Sequence, residues 1–119
     1  MAKILAIDDD EDALLYVQSV LCKEHSVMSV SSWIKASEAL VKESFDLVLL
    51  DIDMPGLSGD KLAGILQRRF SGAPLNIVFF SGIDEAELEK KTAEIGAKGF
   101  IRKPCPRDLL SLRVKRFLR

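Results

Sequence analysis

Acidic side chains follow two apolar stretches of this sequence, in positions where they could share one site. The first stretch, KILAI, runs into five consecutive acidic residues, Asp8 to Asp12, and the second, LVLL, runs into Asp51 and Asp53. Carboxylate oxygens are preferred ligands of hard divalent cations such as Mg²⁺, and a carboxylate can act as a nucleophile. In the simpler interpretation, the pair only supports a turn before Pro55, and the first cluster only favours a helix N-terminus.

Two further polar groups follow later apolar stretches. Ser81 and Gly82 come after NIVFF, and Lys103 ends KGFIRK. A hydroxyl, a backbone amide and an ammonium group can together neutralise the oxygens of a phosphoryl group. Taken singly, Ser-Gly usually marks a turn and a lysine at this position is usually solvated. The phosphoryl chemistry is therefore predicted only if the fold brings these groups to the acidic residues.

The hydrophobic pattern predicts such a fold. Five apolar strands, at 3–8, 25–31, 47–50, 76–80 and 98–103, alternate with five helices, at 11–24, 32–44, from 58 or 59 to about 70, 84–95 and from 106 onward. Strict alternation of this kind indicates an α/β fold with a parallel sheet and helices on both faces. The residues that follow each strand then converge on one rim of the sheet.

Helical spacing predicts which side chains of the helices face the sheet. In chain order, the predicted inward sets are Leu14, Val17 and Leu21; Ile34, Leu40 and Val41; Leu62, Ile65 and Leu66; Leu88 and Ile95; and Leu110, Val114 and Phe117. The second strand is more polar than the others, which predicts a position at the sheet edge.

Size and composition favour one globular domain over residues 1–119. The chain has 48% hydrophobic and 29% charged residues and a formal net charge of −1, which argues against direct binding of nucleic acid. Its apolar runs are too short to cross a membrane, and its start does not resemble a signal peptide, so we expect a cytoplasmic protein. Cys22 and Cys105 are too isolated to predict a disulfide framework or a zinc site.

Taken together, these segments resemble the receiver domain of two-component response regulators, which has a CheY-like fold. The matching segments are IDDD at 7–10, LDIDMPG at 50–56, Ser81-Gly82 and Lys103-Pro104, in the family's order and over essentially the whole chain. The resemblance implies a flavodoxin-like, three-layer α/β/α fold with strand order 2-1-3-4-5 and five helices. Two departures are Cys105, where the family often has an aromatic residue, and Ser58-Gly59, where Asp-Gly is common.

The resemblance also implies roles for the rim residues. Asp51 would accept a phosphoryl group from a histidine kinase or phosphotransfer protein, with Ser81 and Lys103 as its catalytic partners. Ser81, the Gly82 amide and Lys103 would bind the phosphoryl oxygens, Lys103 would form a salt bridge with Asp51, and the Lys103-Pro104 bond is a candidate for the cis form. The implied ligands of Mg²⁺ or Mn²⁺ are Asp8, Asp9, Asp51 and the backbone carbonyl of Asp53.

Signalling would follow from movement of Ser81 and Phe100, the family's switch pair, which changes the face formed by the fourth helix, fifth strand and fifth helix. A downstream effector protein or domain would dock there. The alternative for Phe100 is an ordinary core residue. Asp53 and the apolar Ile83, which lies near the presumed path of hydrolytic water, are expected to tune the acyl-phosphate lifetime. With Ile83 at its position, slow self-dephosphorylation is predicted.

Charge on this face suggests a dimer. The fourth helix is acidic and the fifth is basic, so the two could pair across a two-fold axis in a phosphorylation-promoted homodimer. The alternative is two solvated helix faces. The charged residues concerned are Asp84, Glu85, Glu87, Glu89 and Glu94 in the fourth helix and Arg113, Lys115, Arg116 and Arg119 in the fifth.

We therefore interpret the chain as a phosphorylation switch, either a stand-alone receiver or the N-terminal receiver of a longer regulator, and not as an enzyme acting on other substrates. One alternative is a small phosphatase of the haloacid-dehalogenase type, because Asp51-Ile52-Asp53 superficially resembles its Asp-x-Asp motif. That motif usually follows the first strand, and such enzymes are longer. A second alternative is a receiver used only as a scaffold, without phosphorylation.

Overall fold

A computed structural model describes residues 1–54, 61, 63–64 and 75–119 of the chain. The elements are β1 (Lys3–Ile7), α1 (Glu11–Leu21), β2 (Ser26–Val30), α2 (Trp33–Lys42), β3 (Leu47–Leu50), β4 (Ile77–Ser81), α3 (Glu85–Ile95), β5 (Gly99–Arg102) and α4 (Arg107–Phe117). The labels α3 and α4 thus denote the fourth and fifth predicted helices. The predicted third helix, with Leu62, Ile65 and Leu66, and the loop that contains Pro55 and Ser58-Gly59 lie outside the described residues.

The five strands form one parallel sheet in the order β2-β1-β3-β4-β5. This arrangement confirms the predicted strand order and the edge position of β2. Crossovers between parallel strands carry helices to the two faces of the sheet, so the central strands are covered on both sides. Accordingly, every residue of β3 and β4 is buried.

Alternating side chains of the strands contribute to two separate cores, one on each face of the sheet. Leu5 and Ile7 of β1 belong to one core, together with buried residues of α2 and α3. Ile4 and Ala6 belong to the other, together with buried residues of α1 and α4. This division follows from the two-residue period of a β-strand. It produces the three-layer α/β/α architecture.

Helix α1 begins and packs as its sequence predicts, but it is shorter. Asp10 is the N-cap, and its carboxylate accepts a hydrogen bond from the Asp12 N–H at 3.0 Å. The predicted inward residues, Leu14, Val17 and Leu21, are buried. The helix ends at Leu21 instead of near residue 24, because the next residues turn toward β2 with the His25 N–H donating to the Leu21 carbonyl at 3.0 Å.

The predicted inward face of α2 is wrong in two of its three residues. Ile34 and Val41 are 58% and 65% exposed, whereas Ala36, Ala39 and Leu40 are buried. Small alanine side chains allow a helix to lie close to a sheet, so α2 packs through its alanines and Leu40 and turns the larger aliphatic residues to solvent. The predicted N-cap is confirmed: the Ser32 hydroxyl accepts from the Lys35 N–H at 3.3 Å.

Helices α3 and α4 cover opposite faces of the sheet near β5. Leu88 of α3 and Leu110 and Val114 of α4 are buried, as predicted, while Ile95 and Phe117 pack at the margins of the two cores. Gly96 ends α3 with a φ of 78°, a conformation that glycine adopts without strain. None of the helices in the described part of the chain has the length and apolar character needed to cross a lipid bilayer.

Candidate functional site

The rim at the carboxyl ends of the strands is built by backbone hydrogen bonds that extend the sheet by one residue. The Asp8 N–H donates to Val30 O at 3.2 Å, and the Asp51 N–H donates to Ile7 O at 3.0 Å. These bonds place both carboxylates directly beyond the ends of neighbouring strands. The positions are fixed by sheet pairing and not by the surrounding loops alone.

Three carboxylates come together on this rim. Oxygen atoms of Asp8, Asp9 and Asp51 all lie within 4.8 Å of one another. Asp8 and Asp51 are buried, at 4% and 8% exposure, and Asp9 is open to solvent. The backbone N–H of Asp10 donates to Asp8 Oδ1 at 3.0 Å. The sequence-based expectation that the acidic cluster after β1 meets the carboxylate after β3 is thus confirmed.

Lys103 supplies the positive charge of the site. Its backbone N–H donates to Ser81 O at 2.8 Å, which continues the β4–β5 pairing. Its Nζ lies 2.6 Å from Asp8 Oδ2 and 3.5 Å from Asp51 Oδ2. The expected ion pair with Asp51 is therefore present, but the shorter contact is to Asp8. The predicted cis peptide bond between Lys103 and Pro104 is also present.

Burial and ion pairing act against each other in this site. Burial raises the pKa of the Asp8 carboxyl above its usual value, while the hydrogen bond from Lys103 and the Asp10 N–H oppose that rise. Burial would lower the pKa of the Lys103 ammonium, but its hydrogen bond to Asp8 and the charge of Asp51 outweigh burial and raise it. Lys103 therefore remains protonated at neutral pH.

The donor set fits a hard divalent cation. Three carboxylates close together repel one another, and one ammonium group cannot neutralise all of them. Oxygen ligands from Asp8, Asp9 and Asp51 are of the type that Mg²⁺ accepts, and the exposure of Asp9 leaves a side open to water.

Ser81 and Gly82 lie at the end of β4. Ser81 is fully buried and is the last residue of the strand, and its hydroxyl oxygen accepts from the Ile83 N–H at 3.4 Å. Gly82 is exposed, and a Cβ there would lie 3.9 Å from the nearest atoms of Lys103. The protein's own packing therefore does not require glycine at this position.

Asp53 and Phe100 lie outside the carboxylate cluster. The Asp53 N–H donates to Asp51 Oδ1 at 3.1 Å, while the Asp53 side chain is exposed. Phe100 is paired with Phe79 across β4 and β5 and is partly buried against the core that contains α3. The predicted metal contact of the Asp53 carbonyl and the predicted movement of Phe100 stay predictions.

Two aromatic residues next to Lys103 were missed in the sequence. The ring of Phe80 lies 5.2 Å from Lys103 Nζ, and the Tyr16 hydroxyl donates to the carbonyl of Cys105. Tyr16 could have been noticed as the one tyrosine in the chain, one residue from the buried Val17, because a tyrosine at a core margin usually finds a hydrogen-bond partner. For Phe80, the sequence predicted only that it lies in a buried strand, and not that its ring lies near Lys103.

Comparison with known proteins agrees with this geometry. Residues 4–115 match the family model for the response regulator receiver domain. The chain is 33% identical over 119 residues to the transcriptional regulatory protein SpaR of Bacillus subtilis, covering all of this chain and 53% of SpaR. It is 26% identical to sporulation initiation phosphotransferase F of Bacillus subtilis, covering 98% of this chain and 93% of that protein.

Solved structures show the same fold. The BeF3-activated receiver domain of DrrB, a protein of Thermotoga maritima, aligns with a TM-score of 0.85 and 27% identity, covering 99% of this chain and 97% of that one. Among the curated relatives, this chain spans about half the length of SpaR and about a quarter of a probable cyclic di-GMP phosphodiesterase of Vibrio cholerae.

The family match covers nearly the whole chain, and the predicted rim residues Asp8, Asp9, Asp51 and Lys103 are the ones that the fold brings together. Receiver domains are signalling domains, bind Mg²⁺ at an acidic pocket, and interact with histidine kinases and effector domains. The chain therefore belongs to the response regulator receiver domains, the phosphorylation-activated switches of two-component systems.

Proposed function

We propose that Asp51 is the phosphoryl acceptor of this receiver domain. The observation that carries the proposal is the position of its buried carboxylate, which lies beside Asp8 and Asp9 and 3.5 Å from Lys103 Nζ. Both of its oxygens have hydrogen-bond donors, the Asp53 N–H on Oδ1 and Lys103 on Oδ2. A nucleophile held in this way loses little freedom when it reacts.

In the proposed reaction, an Asp51 oxygen attacks the phosphorus of a phosphohistidine on a histidine kinase or phosphotransfer protein. The new bond is Asp51 O–P, the bond that breaks is P–N, and the imidazole leaving group takes up a proton. Asp8, Asp9, Asp51 and the Asp53 carbonyl would hold Mg²⁺, or Mn²⁺, which when bound supplies positive charge for the phosphoryl oxygens.

Three groups from β4 and β5 would bind the phosphoryl group once it is on Asp51. The proposed groups are the Ser81 hydroxyl, the Gly82 N–H and the Lys103 ammonium. Ser81 is fully buried, so we expect it to move when it donates its O–H to a phosphoryl oxygen, while its oxygen now accepts from the Ile83 N–H at 3.4 Å. That movement would open space for Phe100 and so change the surface formed by α3, β5 and α4.

The lifetime of the phosphorylated state would depend on Ile83 and Asp53. Ile83 is partly buried against the core beneath α3, next to the residue that binds phosphate. An apolar side chain there keeps hydrolytic water from being oriented. Asp53 is exposed and lies two residues beyond Asp51, so its carboxylate could influence that water.

We propose that residues 1–119 act as one receiver domain in the cytoplasm, without direct contact with nucleic acid or membrane. The domain would work either alone, as the full-length match to the sporulation phosphotransferase suggests, or as the N-terminal receiver of a longer regulator, as the half-length match to SpaR suggests. In both cases its partners would be a histidine kinase or phosphotransfer protein and a downstream effector.

A phosphorylation-promoted homodimer through α3, β5 and α4 is part of the proposal. Glu85 of α3 and Arg113 of α4 line one open pocket of about 220 Å³ together with Phe100, so opposite charges do share this face. Lys115, one of the basic residues predicted to pair across the dimer, is less available for that contact. Its Nζ already lies 3.0 Å from the Glu24 carboxylate, beyond the end of α1. The dimer would therefore depend mainly on the arginines of α4.

Acetyl phosphate with Mg²⁺ tests the proposed chemistry. We expect intact-protein mass spectrometry to find one added phosphoryl group on the wild type and on Asp53→Asn, and none on Asp51→Asn. Absence of the adduct from the wild type would refute the proposal and favour a scaffold role. Turnover of a phosphomonoester that is lost in Asp53→Asn would instead indicate the haloacid-dehalogenase type of chemistry.

A further inference from the structure

The loop between β5 and α4 begins at Lys103, whose N–H continues the sheet pairing, and contains Cys105, which is buried in the core that includes α1 and α4. Two of its residues, Pro104 and Pro106, have no backbone N–H to donate. One side of the loop borders an open apolar pocket of about 570 Å³, lined in part by Pro104, Cys105 and Pro106. On that side the loop is open to solvent, so side-chain packing holds it only through Cys105.

A side chain of α1 reaches across to this loop. The hydroxyl of Tyr16 donates a hydrogen bond to the carbonyl of Cys105, two residues beyond Lys103. The ring of Tyr16 also lines the apolar pocket and packs against the core that contains α1 and α4. The hydrogen bond thus ties the loop directly to the helix that follows Asp8 and Asp9.

Tyr16 is itself held by a second set of contacts between the same helices. The guanidinium of Arg107 lies 6.0 Å from the centre of the Tyr16 ring. Arg107 also donates to the Ser19 hydroxyl at 3.1 Å and to the Ser19 carbonyl at 3.2 Å, and the Ser19 hydroxyl donates to the Tyr16 carbonyl at 2.8 Å. These three residues form a clasp between α1 and the start of α4.

We infer that Tyr16 is a positioning residue for the phosphoryl-transfer site, acting through Lys103. By fixing the Cys105 carbonyl, its hydroxyl keeps the start of the loop against α1 and so keeps the Lys103 ammonium between Asp8 and Asp51. Tyr16 touches none of the reacting atoms in this assignment. The inference rests on the proposed role of Asp51 for its rate prediction, but not for its prediction about Lys103.

Tyr16→Phe is the variant that isolates this effect, because it keeps the ring and the stacking with Arg107 and removes only the hydroxyl. Thr92→Val is a matched control: the Thr92 hydroxyl donates to the Leu88 carbonyl at 2.7 Å within α3, far along the chain from the clasp. Both variants lose one hydroxyl-to-carbonyl hydrogen bond. Circular dichroism verifies that both remain folded.

The first measurement is the rate at which the Lys103 amine is modified by acetic anhydride, read by peptide mass spectrometry. We expect modification of Lys103 to be about two- to tenfold faster in Tyr16→Phe than in the wild type, the range covered by loss of one neutral hydrogen bond. Thr92→Val should leave it unchanged. An unchanged rate in Tyr16→Phe overturns the inference, whether or not the protein accepts phosphate.

The second measurement is the rate of phosphorylation by acetyl phosphate in four proteins: wild type, Tyr16→Phe, Lys103→Met and the double variant. We expect Tyr16→Phe to slow the reaction about two- to tenfold when Lys103 is present, and to have no further effect in Lys103→Met. An equal slowing in both backgrounds would mean that Tyr16 acts by general loosening, and would overturn the assignment. No adduct on the wild type would refute the proposed function alone, and Lys103 modification would then decide the inference.

Discussion

At the scale of single residues, the site depends on one ammonium group that serves two carboxylates. Lys103 Nζ lies 2.6 Å from Asp8 and 3.5 Å from Asp51, and its side chain is only 23% exposed. Removing one partner of such a pair costs more than removing one from an exposed pair, because the remaining charge is left buried without compensation. A divalent cation bound at the carboxylates as proposed would therefore compete with the ammonium to neutralise the same two acids.

Lys103→Met tests that competition. Without Mg²⁺ we expect a loss of about 1–3 kcal/mol of unfolding free energy, between the usual values for exposed and buried pairs. Because the carboxylates then lack a counter-charge, Mg²⁺ should raise the melting temperature more in Lys103→Met than in the wild type. Thermal unfolding with and without MgCl₂ measures this, with the exposed Lys35→Met as control. An equal or smaller Mg²⁺ effect in Lys103→Met would contradict the account.

Ile83 is expected to set the lifetime of the phosphorylated state. Replacing it with asparagine or glutamate places a polar group beside Ser81, where it can orient water toward the acyl phosphate. We predict a faster loss of the phosphoryl group, by about tenfold if one water hydrogen bond is gained in the transition state. Decay of the phosphorylated mass after removal of acetyl phosphate is the measurement. Ile83→Val is the apolar control, and a lifetime that is the same in all variants would remove the idea.

Prediction from sequence succeeded at the residue scale where strand ends fixed a position. Asp8, Asp51 and Lys103 each follow a strand directly. Because the carboxyl ends of parallel strands lie at the same edge of the sheet, these three residues had to meet there. Tyr16 could not be found in this way. Its partner is a backbone carbonyl 89 positions later in the chain, and nothing in the local spacing encodes a contact of that range.

At the scale of elements, the contact of α4 with β5 depends on one small residue. A Cβ on Gly99 would lie 2.5 and 2.6 Å from two ring atoms of Phe117, well inside contact distance. Phe117 also ends the helix at a point where its carbonyl accepts from Lys98 Nζ at 2.5 Å and Asn76 Nδ2 at 3.1 Å. These bonds hold the backbone of Phe117, so an added methyl group at position 99 has to be accommodated by the ring.

Gly99→Ala is predicted to cost about 1–3 kcal/mol of stability through this overlap. Shortening the ring partner, in the double variant Gly99→Ala with Phe117→Leu, should recover part of the loss. Gly82→Ala serves as the control for stability, because a Cβ there meets only ordinary contacts at 3.9 Å. Urea unfolding of five proteins gives the values: the wild type, Gly99→Ala, Phe117→Leu, the double variant and the Gly82→Ala control. Additive losses in the double variant would show that the overlap is not the cause.

The predicted helix faces show the limit of periodicity at this scale. In α1, one set of large apolar residues dominates, so Leu14, Val17 and Leu21 were correctly predicted to be buried. In α2, two apolar sets compete, and the larger residues Ile34 and Val41 were wrongly preferred over Ala36 and Ala39. Hydrophobicity ranks the larger side chains first, but the distance between helix and sheet favoured the small ones.

At the scale of the whole molecule, the alternation of strands and helices was enough to predict a parallel sheet, while the resemblance to receiver domains supplied the strand order. The edge position of β2 also followed from its more polar sequence. The sequence did not predict whether the surface formed by α3, β5 and α4 is a dimer interface, because surface charge alone does not distinguish an interface from a solvated face.

Sedimentation velocity tests whether that surface forms a dimer. With Mg²⁺ and beryllofluoride at low salt, we predict a larger sedimentation coefficient than without beryllofluoride, and a return toward the monomer value at high salt because the contacts are electrostatic. Arg113→Glu should weaken the dimer more than Lys35→Glu, which makes the same charge change on α2. A monomer under every condition would exclude the proposed dimer and leave the phosphoryl chemistry untouched.

The central claim is that Asp51 carries the phosphoryl group, and locating that group in the chain tests it most directly. After reaction with acetyl phosphate and Mg²⁺, borohydride reduction converts an acyl phosphate on aspartate to homoserine, which marks the position for peptide sequencing by mass spectrometry. The account predicts homoserine at position 51 and at no other aspartate. Homoserine at position 8, 9 or 53 instead, or an unmodified Asp51 in a protein that has taken up phosphate, would contradict it.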